Sequence, residues 1–374
     1  MSWQPKRLDQ LGAVSRGRSR HRPRDAAHLY GGPHPFIQTG DVKHAGLYIN
    51  DYTQTYSDAG LAQSKLWPVG TLCITIAANI ADTAILGIDA CFPDSVIGFT
   101  PDPHEADARF VKYLFDATIK HRAQKFSQGA AQDNLSQEKL LSLKFDVPKV
   151  DEQKRIADVL AAYDDLIENN QRRMALLEES ARLLYSEWFV RLRFPGHEHT
   201  RITDGVPEGW EQNTLGECVT LNYGKALKAE DRVDGEYPVY GSSGIVGSHE
   251  KPLVNGPAVI LGRKGNVGSV YWSSKSFYPI DTVYFINAES SSLYLYYVLK
   301  HMHFINTDVA VPGLNRDFAY SRPLLRPAAT LLRTFLDTVT PIHVQLDKLD
   351  EMNKKLHAAR DLLLPRLMSG ELLA

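Results

Sequence analysis

Residues 151–193 read DEQKRIADVLAAYDDLIENNQRRMALLEESARLLYSEWFVRLR and contain neither Pro nor Gly. Apolar side chains recur there at helical spacing, through Ile156, Leu160, Tyr163, Ile167, Met174, Leu177, Ala181, Leu184 and Trp188. The stretch is expected to form one helix of 43 residues. At about 1.5 Å per residue it would extend roughly 65 Å, longer than a globular domain is wide, so it would act as a spacer.

The chain around this stretch repeats itself. Residues 134–148, NLSQEKLLSLKFDVP, lie on 313–327, GLNRDFAYSRPLLRP, at an offset of 179 that carries Pro148 onto Pro327. The same offset carries Ile156 onto Phe335, Asp158 onto Asp337, Ile167 onto Leu346 and Leu177 onto Leu356. Nearer the start, Trp3, Leu8 and Gly17 fall on Trp210, Leu215 and Gly224 at an offset of 207, and between them Gly70 and Pro93 fall on Gly256 and Pro279 at 186. The falling offset assigns about 28 extra residues to the first copy, in surface loops where insertions cost least. Each copy reads as a strand-rich part, then a short packing helix (ARFVKYLFDATIK, SLYLYYVLKHMH), then a long helix. The fold class is therefore α+β.

The second long stripe runs Phe335, Ile342, Leu346, Leu349, Leu356, Leu363, Leu367, and Pro341 and Pro365 are expected to kink or restart it. Neither helix alone can bury its stripe. Pairing as an antiparallel coiled coil, with an internal pseudo-twofold axis, is the simplest arrangement. Asn170 and Asn353 then fall in or near the seam, either exposed at a drifting heptad position or specifying register. The expected boundaries are a first globular domain at 1–147, helix and connector at 148–205, a second domain at 206–326 and a closing helix at 327–374.

With 374 residues, 43% of them hydrophobic, the chain is long enough for two or three packed units. Its formal charge of −2 means that any binding to a polyanion must be local. Cys73, Cys91 and Cys218 form no CxxC pair, which argues against structural zinc and against a secreted disulfide framework. No run of eighteen apolar residues occurs, and a cytoplasmic protein with no membrane partner is expected.

The common catalytic constellations are missing. GSSGIVGS at 241–248 lacks the lysine of a P-loop, and no Asn-Pro-Pro-aromatic or Asp-Pro-Pro-aromatic segment of an amino-methyltransferase is present. A nuclease pieced together from Pro93, Asp94, Glu152 and Lys154 would take its second half from an ordinary helix surface. His197, Glu198 and His199 follow Pro195 and Gly196 in a connector, so a solvated linker outweighs a metal site, and Ser242 and Ser243 have no His/Asp partner at a defined spacing. No catalytic residue, metal ligand or cofactor is assigned. The chain reads as a binder.

VPEGWEQNTLGE (206–217), with YPVYGSSGIVG and LGRKGNVGSVYW, resembles a target-recognition domain. Residues 146–198 resemble the central helical region that follows such a domain, and LLPRLMSGEL (363–372) the closing motif of the same family. Together they resemble the DNA specificity subunit of a type I restriction-modification system, over nearly the whole chain. That resemblance implies a non-enzymatic subunit in which two domains each read half of a bipartite, asymmetric double-stranded DNA target. It also implies two methyltransferase subunits, which methylate adenine N6 with S-adenosylmethionine, and motor/nuclease subunits that use ATP and Mg2+. Two other readings are a recognition subunit for a fused restriction-methylation enzyme and a degenerate scaffold with no DNA role.

Arginine stands at every second position in SRGRSRHRPRD, residues 15–25: Arg16, Arg18, Arg20, Arg22 and Arg24. The 207 offset lays Gly17 and Arg18 on Gly224 and Lys225, so a basic loop occupies the same place in both copies, which favours phosphate contact; a merely solvated loop is the alternative. An extended segment would project alternate arginines to one side. Further candidate contacts are Gln38, Thr39 and Asp41, aligned loosely with Tyr240, Ser242 and Ser243, and then Arg263, Lys264 and Asn266, which face residues 77–80 of the first copy. Asp164, Asp165 and Glu168 beside Arg172 and Arg173 read as a salt-laced helix face, and Trp188 and Phe189 as buried.

Overall fold

The computed structural model describes residues 3–77, 81–120, 136–304 and 313–373. Residues 78–80 and 134–135, used in the comparisons above, lie outside the described residues. The chain divides into two compact units, residues 1–171 with 351–374, and residues 172–350.

In the first unit the strands are β1 (Gln4–Lys6), β2 (Gly12–Arg16), β3 (Tyr30–Phe36), β4 (Tyr48–Ile49), β5 (Gln54–Tyr56), β6 (Leu72–Thr75), β7 (Thr83–Leu86), β8 (Val96–Pro101) and β9 (Phe145–Val147). Five of them form one sheet, in the order β2-β8-β6-β7-β4. β6 and β7 are buried at every position, the pattern of strands covered on both faces. Helix Ala108–Phe115 starts at Asp107, whose carboxylate accepts from the amides of Arg109 and Phe110, and it buries Phe110, Val111 and Leu114.

In the second unit they are β10 (Ile202–Thr203), β11 (Val206–Pro207), β12 (Glu211–Thr214), β13 (Asn222–Tyr223), β14 (Tyr237–Gly241), β15 (Gly244–His249), β16 (Ala258–Gly262), β17 (Val270–Ser273), β18 (Tyr278–Pro279), β19 (Val283–Ile286) and β20 (Pro323–Arg326). The main sheet, β13-β19-β16-β17, repeats the order β2-β8-β6-β7.

Strand register shows the duplication residue by residue. Gln4 pairs with Val147 and Glu211 with Arg326, which reproduces the offset of 207 on one strand and 179 on the other. Ser15 opposite Gly98 matches Asn222 opposite Phe285. In the middle of each unit the expected offset of 186 is corrected to 187, since Leu72 pairs with Phe99 where Val259 pairs with Ile286, and Thr75 with Val96 where Gly262 pairs with Val283. A shift of one residue exchanges the two faces of a strand, so Pro93 corresponds to Ile280 and not to Pro279.

The first long helix runs Val150–Tyr185 and continues as a π-helical turn, Ser186–Val190. The second runs unbroken from Ala329 to Met368, which corrects the expectation that Pro341 and Pro365 interrupt it. Both prolines are exposed, so water can reach the carbonyls they leave without an amide partner, while Phe335, Val339, Leu346 and Leu349 stay buried on the opposite side. Of the expected pairing residues, Ile156, Leu160, Ile167, Leu346 and Leu349 are buried, and Tyr163, Leu177, Leu184, Leu356 and Leu363 are half-buried. None of the described helices is long and apolar enough to cross a membrane.

Within the first unit, Ile156, Ala157 and Leu160 of one long helix share a hydrophobic cluster with Leu367 and Met368 of the other. Asp164 meets Arg360, and Asn170 Nδ2 donates to Asn353 Oδ1 at 2.9 Å. Six residues up the first helix thus correspond to seven down the second, so these segments run antiparallel. Within the second unit, Tyr185, Trp188 and Phe189 surround Phe335, the Phe189 and Phe335 rings lying edge to face at 4.9 Å. Phe189 is buried and Trp188 half-buried. Asp164 is correspondingly no surface charge: its side chain is 10% exposed.

The asparagine pair is 1% and 7% exposed, and the Asn353 amide oxygen accepts from the Asn170 amide. Asn353→Leu strands the Asn170 amide and is expected to cost about 1–3 kcal/mol in urea unfolding of the full chain. Adding Asn170→Leu is expected to recover most of that loss, which a double-mutant cycle measures.

Candidate nucleic-acid interface

β2 hands the chain to the arginine loop through a close backbone contact. Gly17 N donates to Val96 O at 2.9 Å and Arg18 N to Phe92 O at 3.1 Å; at the equivalent place Gly224 N donates to Val283 O at 3.2 Å and Lys225 N to Pro279 O at 3.0 Å. A Cβ on Gly17 would collide with the carbonyl oxygens of Phe92 and Pro93, and one on Gly224 with those of Pro279 and Ile280. The two basic loops therefore leave their sheets from the same anchored point.

All five arginines are exposed, and Gly17 and Ser19 between the first three are buried, so Arg16, Arg18 and Arg20 project to one side. Gln63 Oε1 accepts from the amides of Arg20 (2.6 Å) and His21 (3.0 Å), and Ser64 Oγ donates to Arg18 O at 2.8 Å. Arg24 pairs with the Asp94 carboxylate at 2.7 Å, Arg16 Nε donates to Asp94 O at 3.0 Å, and Arg22 Nη1 donates to the carbonyls of Ser19 and His21. Among the described residues, the guanidinium groups of Arg18 and Arg20 have no such partner. Lys65 lies 3.5 Å from the Trp67 ring centroid, and its ammonium is held below the ordinary lysine value by burial and by Arg18. The sequence reading missed Gln63, Ser64 and Lys65, because a lone AQSK segment carries no motif.

Gln38, Thr39 and Asp41 form a separate turn. Gln38 N donates to Asp41 Oδ2 at 2.7 Å in a reciprocal cap of helix Thr39–His44, and Gln38 Nε2 donates to Gln54 Oε1 at 2.6 Å. These two side chains thus hold the local fold.

In the second unit Ser242 and Ser243 meet the loop that carries Lys264 and Asn266. Asn266 Nδ2 donates to Ser243 Oγ at 3.2 Å, while Ser269 Oγ and Tyr271 Oη donate to Ser242 O at 2.6 and 3.0 Å. Ser243, Lys264 and Asn266 are exposed. Tyr240 is not: it packs in the core with Phe277 and Val283.

Arg263 lies 5.2 Å from the centroid of the exposed Tyr223 ring, and Arg316 lies 5.3 Å from the same centroid. Two cations thus flank one aromatic face, an arrangement that suits stacked bases and phosphates. Beneath it Tyr284 is pushed up to about 12 by burial and then by Tyr223, against the opposing pull of the two arginines. Arg263 Nη2 donates to Asp281 O at 2.9 Å, and Asp281 is the equivalent of Asp94, whose carbonyl holds Arg16. Each unit therefore fixes a guanidinium on the same carbonyl, drawn from a different strand. Ile76 N donates to Ser95 O as Arg263 N does to Thr282 O, so the first unit has buried Ile76 where the second has Arg263. Tyr223 directly precedes Gly224 and Arg316 lies in the segment 313–327; only the fold reveals that they are neighbours.

The other candidate chemistries find no support in the geometry. Glu152 pairs with Arg155 on its own helix, and His197 Nδ1 lies 2.8 Å from the Phe194 carbonyl. Among the described residues no cluster of three or more His, Cys, Asp or Glu side chains could hold a metal.

A family profile for the type I restriction modification DNA specificity domain matches residues 1–179 and 207–317, once for each copy. The type I restriction enzyme MjaIX specificity subunit of Methanocaldococcus jannaschii is 22% identical, in an alignment covering 99% of this chain and 93% of that protein. A putative type I specificity subunit of Mycoplasma genitalium is 31% identical over 38% of this chain and 37% of its own length. The crystal structure of the S subunit of a type I restriction-modification system from M. genitalium superimposes with a TM-score of 0.64 at 19% identity, covering 98% of this chain and 96% of that one, which shows a shared fold. The chain belongs to the type I restriction-modification DNA specificity family, as a specificity subunit and not an enzyme.

Losing the Gln63 acceptor is expected to free the arginine loop. Limited trypsin digestion of Gln63→Ala is predicted to cut after Arg18 and Arg20 about tenfold faster than in the unaltered chain, the opening factor that loss of roughly 1.4 kcal/mol gives.

Proposed function

We propose that this chain reads a bipartite, asymmetric double-stranded DNA sequence, one half through each globular domain (1–147 and 206–326), and directs partner subunits to it. The two long helices, within 148–205 and 327–374, pair along their length as an antiparallel coiled coil with pseudo-twofold symmetry and set the spacing of the half-sites. Methyltransferase subunits supply S-adenosylmethionine-dependent methylation of adenine N6. Motor/nuclease subunits supply ATP- and Mg2+-dependent translocation and cleavage, in the cytoplasm, as a defence against phage DNA.

The observation that carries this reading is the repeated frame with unlike contact residues. Two sheets of the same order and register present Arg18 against Lys225 and Ile76 against Arg263. Equivalent placement with different donors suits two half-sites of different sequence, because base identity is read through side-chain donors and acceptors while phosphate contacts fix register. Antiparallel contacts inside the first unit, and aromatic contacts between the two long helices inside the second, support the pairing of the helices.

The test is a genome-wide map of methylated adenine in cells carrying the adjacent methyltransferase, with and without this chain. One bipartite motif with unequal halves is expected; a stable protein complex without any motif would favour the scaffold reading. Arg18→Ala with Arg20→Ala is predicted to weaken DNA binding for all sequences alike and to lower the slope of log K against log salt by about 2, as loss of two phosphate contacts requires.

A further inference from the structure

The helix that covers each main sheet reaches a long helix through a phenol; in the first unit a salt bridge from Arg109 to Asp158 on the exposed edge of the long helix, 2.8 Å, joins the same two helices. In the first unit Tyr113 Oη donates to Asp164 Oδ2 at 2.5 Å, and Asp164 also receives Arg360 from the other long helix. In the second, Tyr297 Oη lies 2.8 Å from His343 Nε2. Asp164 and His343 are 179 residues apart, the offset that strand register gives for this end of the repeat, so they are the same position of the ancestral helix. At that position each unit offers an acceptor to a phenol of its packing helix, a carboxylate in the first and an imidazole in the second.

The exchange is chemically consistent on both sides. A carboxylate that is 10% exposed needs a counter-charge, and Arg360 supplies it. The residue 179 positions before Arg360 is Ala181, fully buried, so the second unit offers no cation there and carries an acceptor that is neutral. Burial, and then Lys300, pushes His343 down to about 4, so the ring is neutral at neutral pH and its Nε2 can accept the Tyr297 hydroxyl. Burial likewise raises both phenols well above the ordinary tyrosine value, and they remain donors. Apolar packing around each contact is non-directional; the phenol bond is the directional element on the buried side, and in the first unit the Arg109–Asp158 pair, with Asp158 largely exposed, adds a solvent-screened one.

The geometry points to Tyr113 and Tyr297 as positioning residues that set the angle at which each recognition domain is held on its own segment of the spacer, and hence the half-site separation the chain accepts. Both side chains are buried, out of reach of a ligand at the surface. The inference rests on the reading proposed above, in which the helices measure the separation of two half-sites.

The test uses the full chain with the adjacent methyltransferase and compares adenine methylation at sites whose spacer matches the motif with sites one base pair shorter or longer. Tyr113→Phe and Tyr297→Phe, each made alone, are expected to raise the share of methylation at off-length sites, about three- to tenfold for Tyr297, whose bond joins neutral groups, and about tenfold or more for Tyr113, whose bond is to a carboxylate, with unchanged base preference in each half. His343→Gln keeps an acceptor for Tyr297 and is expected to keep the spacer preference. Unchanged spacer preference in both folded Phe variants would overturn the inference, as would a His343→Gln chain that behaves like Tyr297→Phe. If the unaltered chain yields no bipartite motif, the underlying reading fails, and this one with it.

Discussion

Helices of this length have no neighbour of their own to bury an apolar stripe against, and isolated amphipathic helices gain most of their stability from packing. Each unit resolves that constraint by building both long helices into its core. Ile156 and Leu160 join Leu367, Met368 and the sheet residues of the first unit; Tyr185 and Phe189 join Phe335, Val339 and those of the second. The recognition domains therefore do not hang from a finished rod. Domain and spacer share one hydrophobic interior in each unit, so neither part is expected to hold its shape without the other.

Apolar contact alone leaves register loose, because one leucine can replace another after a slip of a turn. The polar contacts remove that freedom. Asn170 with Asn353 and Asp164 with Arg360 each match a donor to one acceptor, and a slip would leave them buried without partners. The same logic acts at the sheets, where Gly17 and Gly224 admit a backbone approach that no side chain permits.

Much of this was legible in the sequence. The long helix, the duplication, and the offsets of 207 and 179 all reappear in strand register, since Trp3, Gly17 and Pro148 are distinctive markers. The middle offset missed by one because the central strands, LCIT and AVILG, are uniformly apolar and give no internal landmark; only hydrogen bonding sets their phase. Pro341 and Pro365 misled because a local rule ignores which face of the helix they occupy. Asp164 looked like one of several surface charges, and nothing short of the fold brings Tyr113 and Arg360 to it. At the candidate interface, residue types were readable but neighbours were not. Tyr223, Arg263 and Arg316 come from three separate segments, and Gln63 reaches the arginine loop from more than forty residues away.

The grip of Gln63 and Ser64 on the arginine loop has a kinetic meaning. A loop whose backbone is tied at Gly17, Arg18, Arg20 and His21 is ordered when the chain folds, so its conformational entropy is lost before any polyanion arrives. In the role proposed above, encounter would need no rearrangement of the loop backbone, from which the exposed guanidinium groups of Arg18 and Arg20 project. A protein that must sample very many wrong sequences before the right one is well served by such a surface, because each trial contact can form and dissolve without refolding part of the reader.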